Sequence, residues 1–121
     1  MTSIFHNKRR ILRNDMDINV QVTEIVVHQI LTNQIGAGVQ LPSIRVAASD
    51  LGVNSTTISR GYHALIALGA VEKRRGLGMF VTKDAKTLLL AHERRRFLQK
   101  DWPRISRRIQ SLDISFGDLR K

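Results

Sequence analysis

From position 54 the chain reads Asn-Ser-Thr-Thr-Ile-Ser-Arg-Gly-Tyr-His, a run of short hydroxyls with one guanidinium and one imidazole and no acidic residue. Placed on a helix at about 100° per residue, with Ile58 at the centre of the buried side, Thr56, Arg60 and His63 fall on the opposite side and Ser59 flanks them. That side is a surface of hydrogen-bond donors. Hydroxyls near a helix start reach phosphate oxygens or base edges, and Arg60 can grip a guanine or a phosphate at two points. Taken singly, serine and threonine there are ordinary caps, and Arg60 and His63 are ordinary solvated residues; the weight lies in the set.

No catalytic set competes with this one. His92-Glu93 opens like a zinc-protease helix, but Arg96 stands where the second histidine ligand is needed. His6, His28 and His63 belong to different elements and form no ligand set. Gly76-Leu77-Gly78 is too short for a dinucleotide fingerprint and follows no βαβ pattern. Cysteine is absent, which removes disulfides, thiolate metal sites and thiol nucleophiles. No enzyme activity, metal or cofactor is expected.

The elements that must hold the donor surface are legible around it. Val22, Ile25, Val26, Ile30 and Leu31 follow helical spacing, and Asn33, Gly36 and Gly38 close that first helix. Pro42-Ser43 restarts the chain, with Ser43 as cap, and Ile44, Ala47, Ala48 and Leu51 make one narrow apolar face. Gly52 ends this helix, Val53 plugs the turn, and Asn54 caps a third helix with Ile58, Tyr62 and Leu65 inward. Two short helices thus meet across a glycine turn. After Gly69 the period changes to strand-like: Val71–Arg74 and Met79–Thr82 flank Arg75-Gly76-Leu77-Gly78, a hairpin with a basic tip. Beyond Asp84 the pattern is helical again, breaks at Pro103, and resumes with Trp102, Ile105, Ile109 and Leu112.

The bulk properties agree. At 121 residues there is room for one modest core and a short appendage. Lysine plus arginine number 20 against 10 acidic residues, so the net charge is +10 and the partner is a polyanion, nucleic acid or an anionic membrane surface. The N-terminal residues lack the order of a secretory signal, and no apolar run approaches the roughly 20 residues of a membrane span. A cytoplasmic protein without a membrane partner is expected.

Helix, helix, glycine turn, helix, basic hairpin is the order of a winged helix-turn-helix, whose second helix of the pair enters the major groove of DNA. The stretch LPSIRVAASDLGVNSTTISRGYHALIALGAVEKRRGLGMFV closely resembles the DNA-binding signature of GntR-type bacterial repressors. The match is strong from Leu41 to Val81 and looser from Val20 to Gln40. Its telling pieces are Leu41-Pro42-Ser43 with Arg45, Leu51-Gly52-Val53-Asn54, Thr57-Ile58-Ser59-Arg60 with Tyr62, and Arg75-Gly76-Leu77-Gly78 with Phe80-Val81. The resemblance implies that Arg45 contacts DNA together with Ser55, Thr56, Thr57 and Ser59, and that Arg75 and Gly76 place the wing in the minor groove. With Asn54, Arg60 and His63 these residues make the expected DNA-binding set. Many relatives carry arginine where this chain has Ser55, and proline-glycine where it has Ala37-Gly38, so the operator bases do not transfer.

Three regions are expected: a basic arm or short helix over residues 1–17, containing Lys8, Arg9 and Arg10; the winged helix-turn-helix over 18–83; and a helical segment over 84–121. The fold class is mostly α with a small β-hairpin wing. The short tail resembles the YtrA-like subgroup, whose two short helices dimerise in place of an effector domain. Leu88, Leu89, Phe97, Leu98, Trp102, Ile105, Ile109 and Leu112 are more apolar side chains than two isolated helices hide, and they are the expected dimerisation residues. Arg94, Arg95 and Arg96 read as a solvated face. A C2 dimer calls for an inverted repeat with half-sites about 10 base pairs apart or a multiple of that. The expected function is therefore a homodimeric, sequence-specific transcriptional regulator, a repressor, on a palindromic operator. The alternative is a sequence-tolerant nucleoid-associated protein. A small-molecule effector is not identified, and the short tail leaves it little room outside a dimer interface.

Overall fold

The computed structural model describes residues 3–6, 8, 12–14 and 16–120. The chain divides into two compact units, Met1–Leu89 and Leu90–Lys121. The first contains α1 (Ile18–Leu31), α2 (Ile44–Leu51), α3 (Ser55–Ala67) and an antiparallel hairpin of β1 (Val71–Arg74) and β2 (Gly78–Val81). Helix α4 (Ala85–Arg96) starts in this unit. The second continues with a π-helical turn, Phe97–Asp101, then α5 (Trp102–Ser111) and the short α6 (Phe116–Leu119).

The starts of α2 and α3 and the end of α2 have local causes. Ser43 Oγ accepts from the Val46 amide at 3.1 Å, and Asn54 Oδ1 accepts from the Thr57 amide at 2.9 Å, satisfying N–H groups that have no partner within the helix. Gly52 terminates α2 in the left-handed region at φ 68°, where a side chain is strained. That turn swings the chain so that α3 crosses α2, as the glycine in the sequence requires.

The core is built from the inward faces of these elements: Val22, Val26 and Ile30 of α1, Ala47 and Leu51 of α2, Ile58, Tyr62 and Leu65 of α3, and Val71 and Val81 of the hairpin. Helices α1 and α3 pack tightly because Gly61 removes a side chain at their crossing; a Cβ there would lie 2.8 Å from Val22 Cγ1. Thr23 Oγ1 donates to the Gly61 carbonyl at 2.9 Å across the same contact. Ile25 and Leu31, expected inward, are only partly buried against the cluster.

The hairpin pairs Val71 with Val81 and Lys73 with Met79, and Glu72 with Phe80 and Arg74 with Gly78. It is wider than two strands suggest. The segment before α2 lies along β2: the Leu41 amide donates to the Met79 carbonyl at 2.8 Å, the Val81 amide to the Val39 carbonyl at 2.9 Å, and Gln40 bridges to Phe80. Glycine-rich and short, that segment reads in sequence as a loop; its strand character comes from a partner some forty residues away.

One expectation narrows and another changes. The described part of the N-terminal segment, expected as an arm or a short helix, forms turns, with the His6 amide on the Ser3 carbonyl and the Lys8 amide on the Phe5 carbonyl. Arg9 and Arg10 lie outside the described residues. The arm is also part of the core: Phe5 is fully buried, its ring centroid 6.4 Å from that of Tyr62, and the Gln21 side chain bonds the backbone of Arg13 and Met16. The change is at Pro103. Helical backbone runs on to Ser111, and proline sits in the first turn of α5, where its missing N–H is harmless. The cost appears one turn earlier, where the Trp102 amide reaches back five residues to the Phe97 carbonyl and widens the helix.

Candidate nucleic-acid interface

All of the sequence-predicted DNA-facing residues lie in the first unit, on α2, α3 and the wing. The buried stripe of α3 is Ile58, Gly61, Tyr62 and Leu65, which leaves Ser55, Thr56, Arg60 and His63 exposed and Thr57 and Ser59 partly so. Arg45 is exposed on α2, and Arg75 and Gly76 are exposed at the wing tip.

Tyr62 holds this face in place. Its hydroxyl donates to the Pro42 carbonyl at 2.8 Å, tying α3 to the residue before the α2 cap. Burial disfavours the phenolate and keeps the hydroxyl protonated well above the usual tyrosine range, so the donor persists.

Hydrogen-bond partners sort the polar residues by how free they are. Asn54 Oδ1 accepts both the Thr57 amide and the Thr57 hydroxyl, the latter at 3.0 Å, so the Thr57 proton is already committed. Thr57 can still accept. Asn54 is exposed, and its amide nitrogen makes no bond among the described residues. His63 Nδ1 lies 2.7 Å from the Ser59 carbonyl, which can only accept, so Nδ1 carries hydrogen and the neutral ring presents Nε2 as an acceptor. Arg45, Arg60 and Arg75 make no hydrogen bond or ion pair among the described residues, so their guanidinium donors are available to a ligand.

The wing separates two adjacent arginines that the sequence presents as a pair. Arg74 is engaged within the hairpin: its guanidinium bonds Glu72 at 3.0 Å and stacks 4.2 Å above the Phe80 ring. Arg75 is the outer residue of the turn closed by the Leu77 amide on the Arg74 carbonyl at 2.9 Å. Next to it Leu77 is 65% exposed, an apolar side chain at the tip that sequence reasoning passed over. An unsupported apolar residue at a hairpin tip is the signal that marks it.

Among the described residues no histidine, aspartate and glutamate cluster could hold a metal ion, and no helix is long and apolar enough to cross a membrane.

The likeness to known proteins coincides with this geometry. The family model described as "Bacterial regulatory proteins, gntR family" matches residues 18–81, from the start of α1 to the end of the wing. The chain is 31% identical over 78 residues to the HTH-type transcriptional repressor YtrA of Bacillus subtilis, a match that covers 64% of this chain and 60% of YtrA. It spans about 60% of the length of the Bacillus subtilis relatives it matches. A GntR family transcriptional regulator from Listeria monocytogenes superposes with a TM-score of 0.75 at 29% identity, over 89% of this chain and 93% of that one. The DNA-binding domain of AraR, solved in complex with operator ORX1, superposes with a TM-score of 0.54 at 25% identity over 59% of this chain and 87% of its own. The family match spans α1, the exposed face of α3 and the wing, over half of the chain, and the chain therefore belongs to the GntR family of bacterial regulatory proteins.

Proposed function

We propose that the chain acts as a cytoplasmic homodimeric repressor that occupies a palindromic operator, with α3 in the major groove and the wing in the minor groove. The observation that carries this reading is the concentration of uncommitted donors on one unit: Arg45, Ser55, Thr56 and Arg60 around the start of α3, and Arg75 at the wing tip. Base-edge readout belongs to the α3 residues, and the exposed turn at Arg75-Gly76 suits the narrower groove. Occupation of the operator blocks transcription by occlusion; the relative YtrA is named a transcriptional repressor.

Dimerisation is assigned to the second unit. Trp102 is 39% and Leu112 52% exposed, Phe97 and Leu98 are exposed, and Ile105 and Ile109 are half-buried. α5 carries Trp102, Ile105 and Ile109 along one side, with Phe97 and Leu98 before it and Leu112 after it, the pattern of a helix that buries an apolar seam against another. Phe116, 77% exposed, and Leu119 extend the set beyond the residues expected from sequence. Leu89 leaves it: the side chain is fully buried in the core of the first unit, where the first turns of α4 dock through Ala85 and Leu89.

Selection from random duplex DNA, followed by sequencing of the retained molecules, tests the reading. An inverted repeat with half-sites about 10 base pairs apart or a multiple supports it. Retention of DNA with no shared motif overturns it in favour of sequence-tolerant binding driven by the +10 charge.

A further inference from the structure

The residue that places the wing tip lies outside the hairpin. Gln40, in the segment that runs along β2, donates from Nε2 to the Leu77 carbonyl at 2.7 Å. The Leu77 amide is already held by the Arg74 carbonyl at 2.9 Å, so both peptide groups of the tip residue are fixed, one by the turn and one by Gln40. Gly78 makes room for this. Its φ is 123°, and a Cβ there would stand 2.7 Å from Gln40 Nε2, in the space the amide now fills.

We infer that Gln40 is a positioning residue for the wing: it holds the Arg75-Gly76 turn in the orientation that meets DNA, and so sets affinity without touching DNA itself. The inference rests on the assignment of Arg75 to a DNA contact. A hairpin of four-residue strands is marginal alone. Without the Gln40 tether the turn is ordered only on binding, and that ordering is subtracted from affinity. The bond is solvent-exposed, so its removal leaves global stability nearly unchanged.

The test is a double-mutant cycle on the full chain. Gln40→Met keeps length and removes the donor; Arg75→Ala removes the tip cation. Binding is measured by fluorescence anisotropy on the duplex recovered by selection, or on a fixed mixed-sequence duplex if selection recovers no motif, with urea midpoints measured in parallel. Expected is about three- to tenfold weaker binding for Gln40→Met at an unchanged urea midpoint, and little further loss when it is added to Arg75→Ala. Gln40→Met binding like the original chain, or losing the same factor with and without Arg75, overturns the inference while leaving the wing contact standing. Unchanged binding by Arg75→Ala alone removes the wing contact itself, and the inference with it.

Discussion

The Tyr62 hydroxyl donates to the Pro42 carbonyl at 2.8 Å, joining the middle of α3 to the residue that precedes the cap of α2. One bond thereby fixes the crossing of the helix pair that presents the donor surface. Tyr62→Phe should lower stability by about 1 kcal/mol in urea unfolding, since a partly buried carbonyl loses its partner while the ring stays. Tyr62→Ala should cost about 3 to 5 kcal/mol through the cavity it leaves. Equal stability of Tyr62→Phe and the original chain would show the bond to be energetically idle.

The same residue gives a pH dependence. Burial raises the folded-state pKa of Tyr62 above its unfolded value, so its contribution to stability is complete below about pH 10 and declines as pH rises through the unfolded value. It is the single tyrosine of the chain, so phenolate absorbance reports on it alone. Absorbance should rise together with unfolding in alkali rather than before it. The alkaline loss of stability should shrink in Tyr62→Phe.

Gly61 should not tolerate alanine. The added Cβ meets Val22 Cγ1 at 2.8 Å and the Asn19 carbonyl at 3.0 Å, and backbone on one side limits relief. Overpacking of about 1 to 3 kcal/mol outweighs the roughly 1 kcal/mol that alanine gains in a helix. Gly61→Ala should therefore unfold at lower urea, and adding Val22→Ala should cost less than the two changes separately. Strict additivity would remove the contact as the cause.

Arg74 and Arg75 should part company in DNA binding. Arg75→Ala should weaken binding by about 1 kcal/mol or more, and Arg74→Ala by little, because Arg74 is spent on Glu72 and Phe80. Arg45→Ala and Arg60→Ala should each cost about 1 to 3 kcal/mol on a selected site if they read bases. A loss of equal size on random DNA makes either one a phosphate contact. Titrations across salt concentrations separate these cases, since each lost phosphate contact shallows the salt slope by about 0.9.

Trp102→Asp or Ile109→Asp should convert the protein to a monomer in sedimentation analysis, with the first unit still folded by circular dichroism. Affinity for a full inverted repeat should then fall to that for a half-site. A persistent dimer in both variants would move the interface away from α5.

What the sequence disclosed was what local chemistry decides. Ser43, Gly52 and Asn54 mark helix boundaries because capping and left-handed turns depend on a residue and its near neighbours, and the structure puts each where the pattern did. The buried trio Ile58, Tyr62 and Leu65 follows from period alone, and with it the exposed side of α3. The strand character of residues 38–41, the tether from Gln40 and the burial of Phe5 and Leu89 depend on partners distant in sequence. Periodicity carries no record of those. Leu89 looks like Leu88 in the sequence; only its seat against the first unit tells them apart. The two arginines at the wing likewise differ in role because of Phe80, which pairs across the hairpin.

The π turn before α5 also bears on how this chain tolerates change in length. In an unbroken α-helix, five residues at about 100° each would set Phe97 about 140° away from Trp102. The five-residue hydrogen bond widens this turn and narrows that angle, turning Phe97 toward the side of the helix that carries Trp102. Such a turn is what a one-residue insertion leaves in a helix. Deleting Gln99 would set Phe97 four residues before Trp102, about 40° apart in an ordinary α-helix, so a single lost codon would here remove the widened turn and leave the phase of the apolar seam intact.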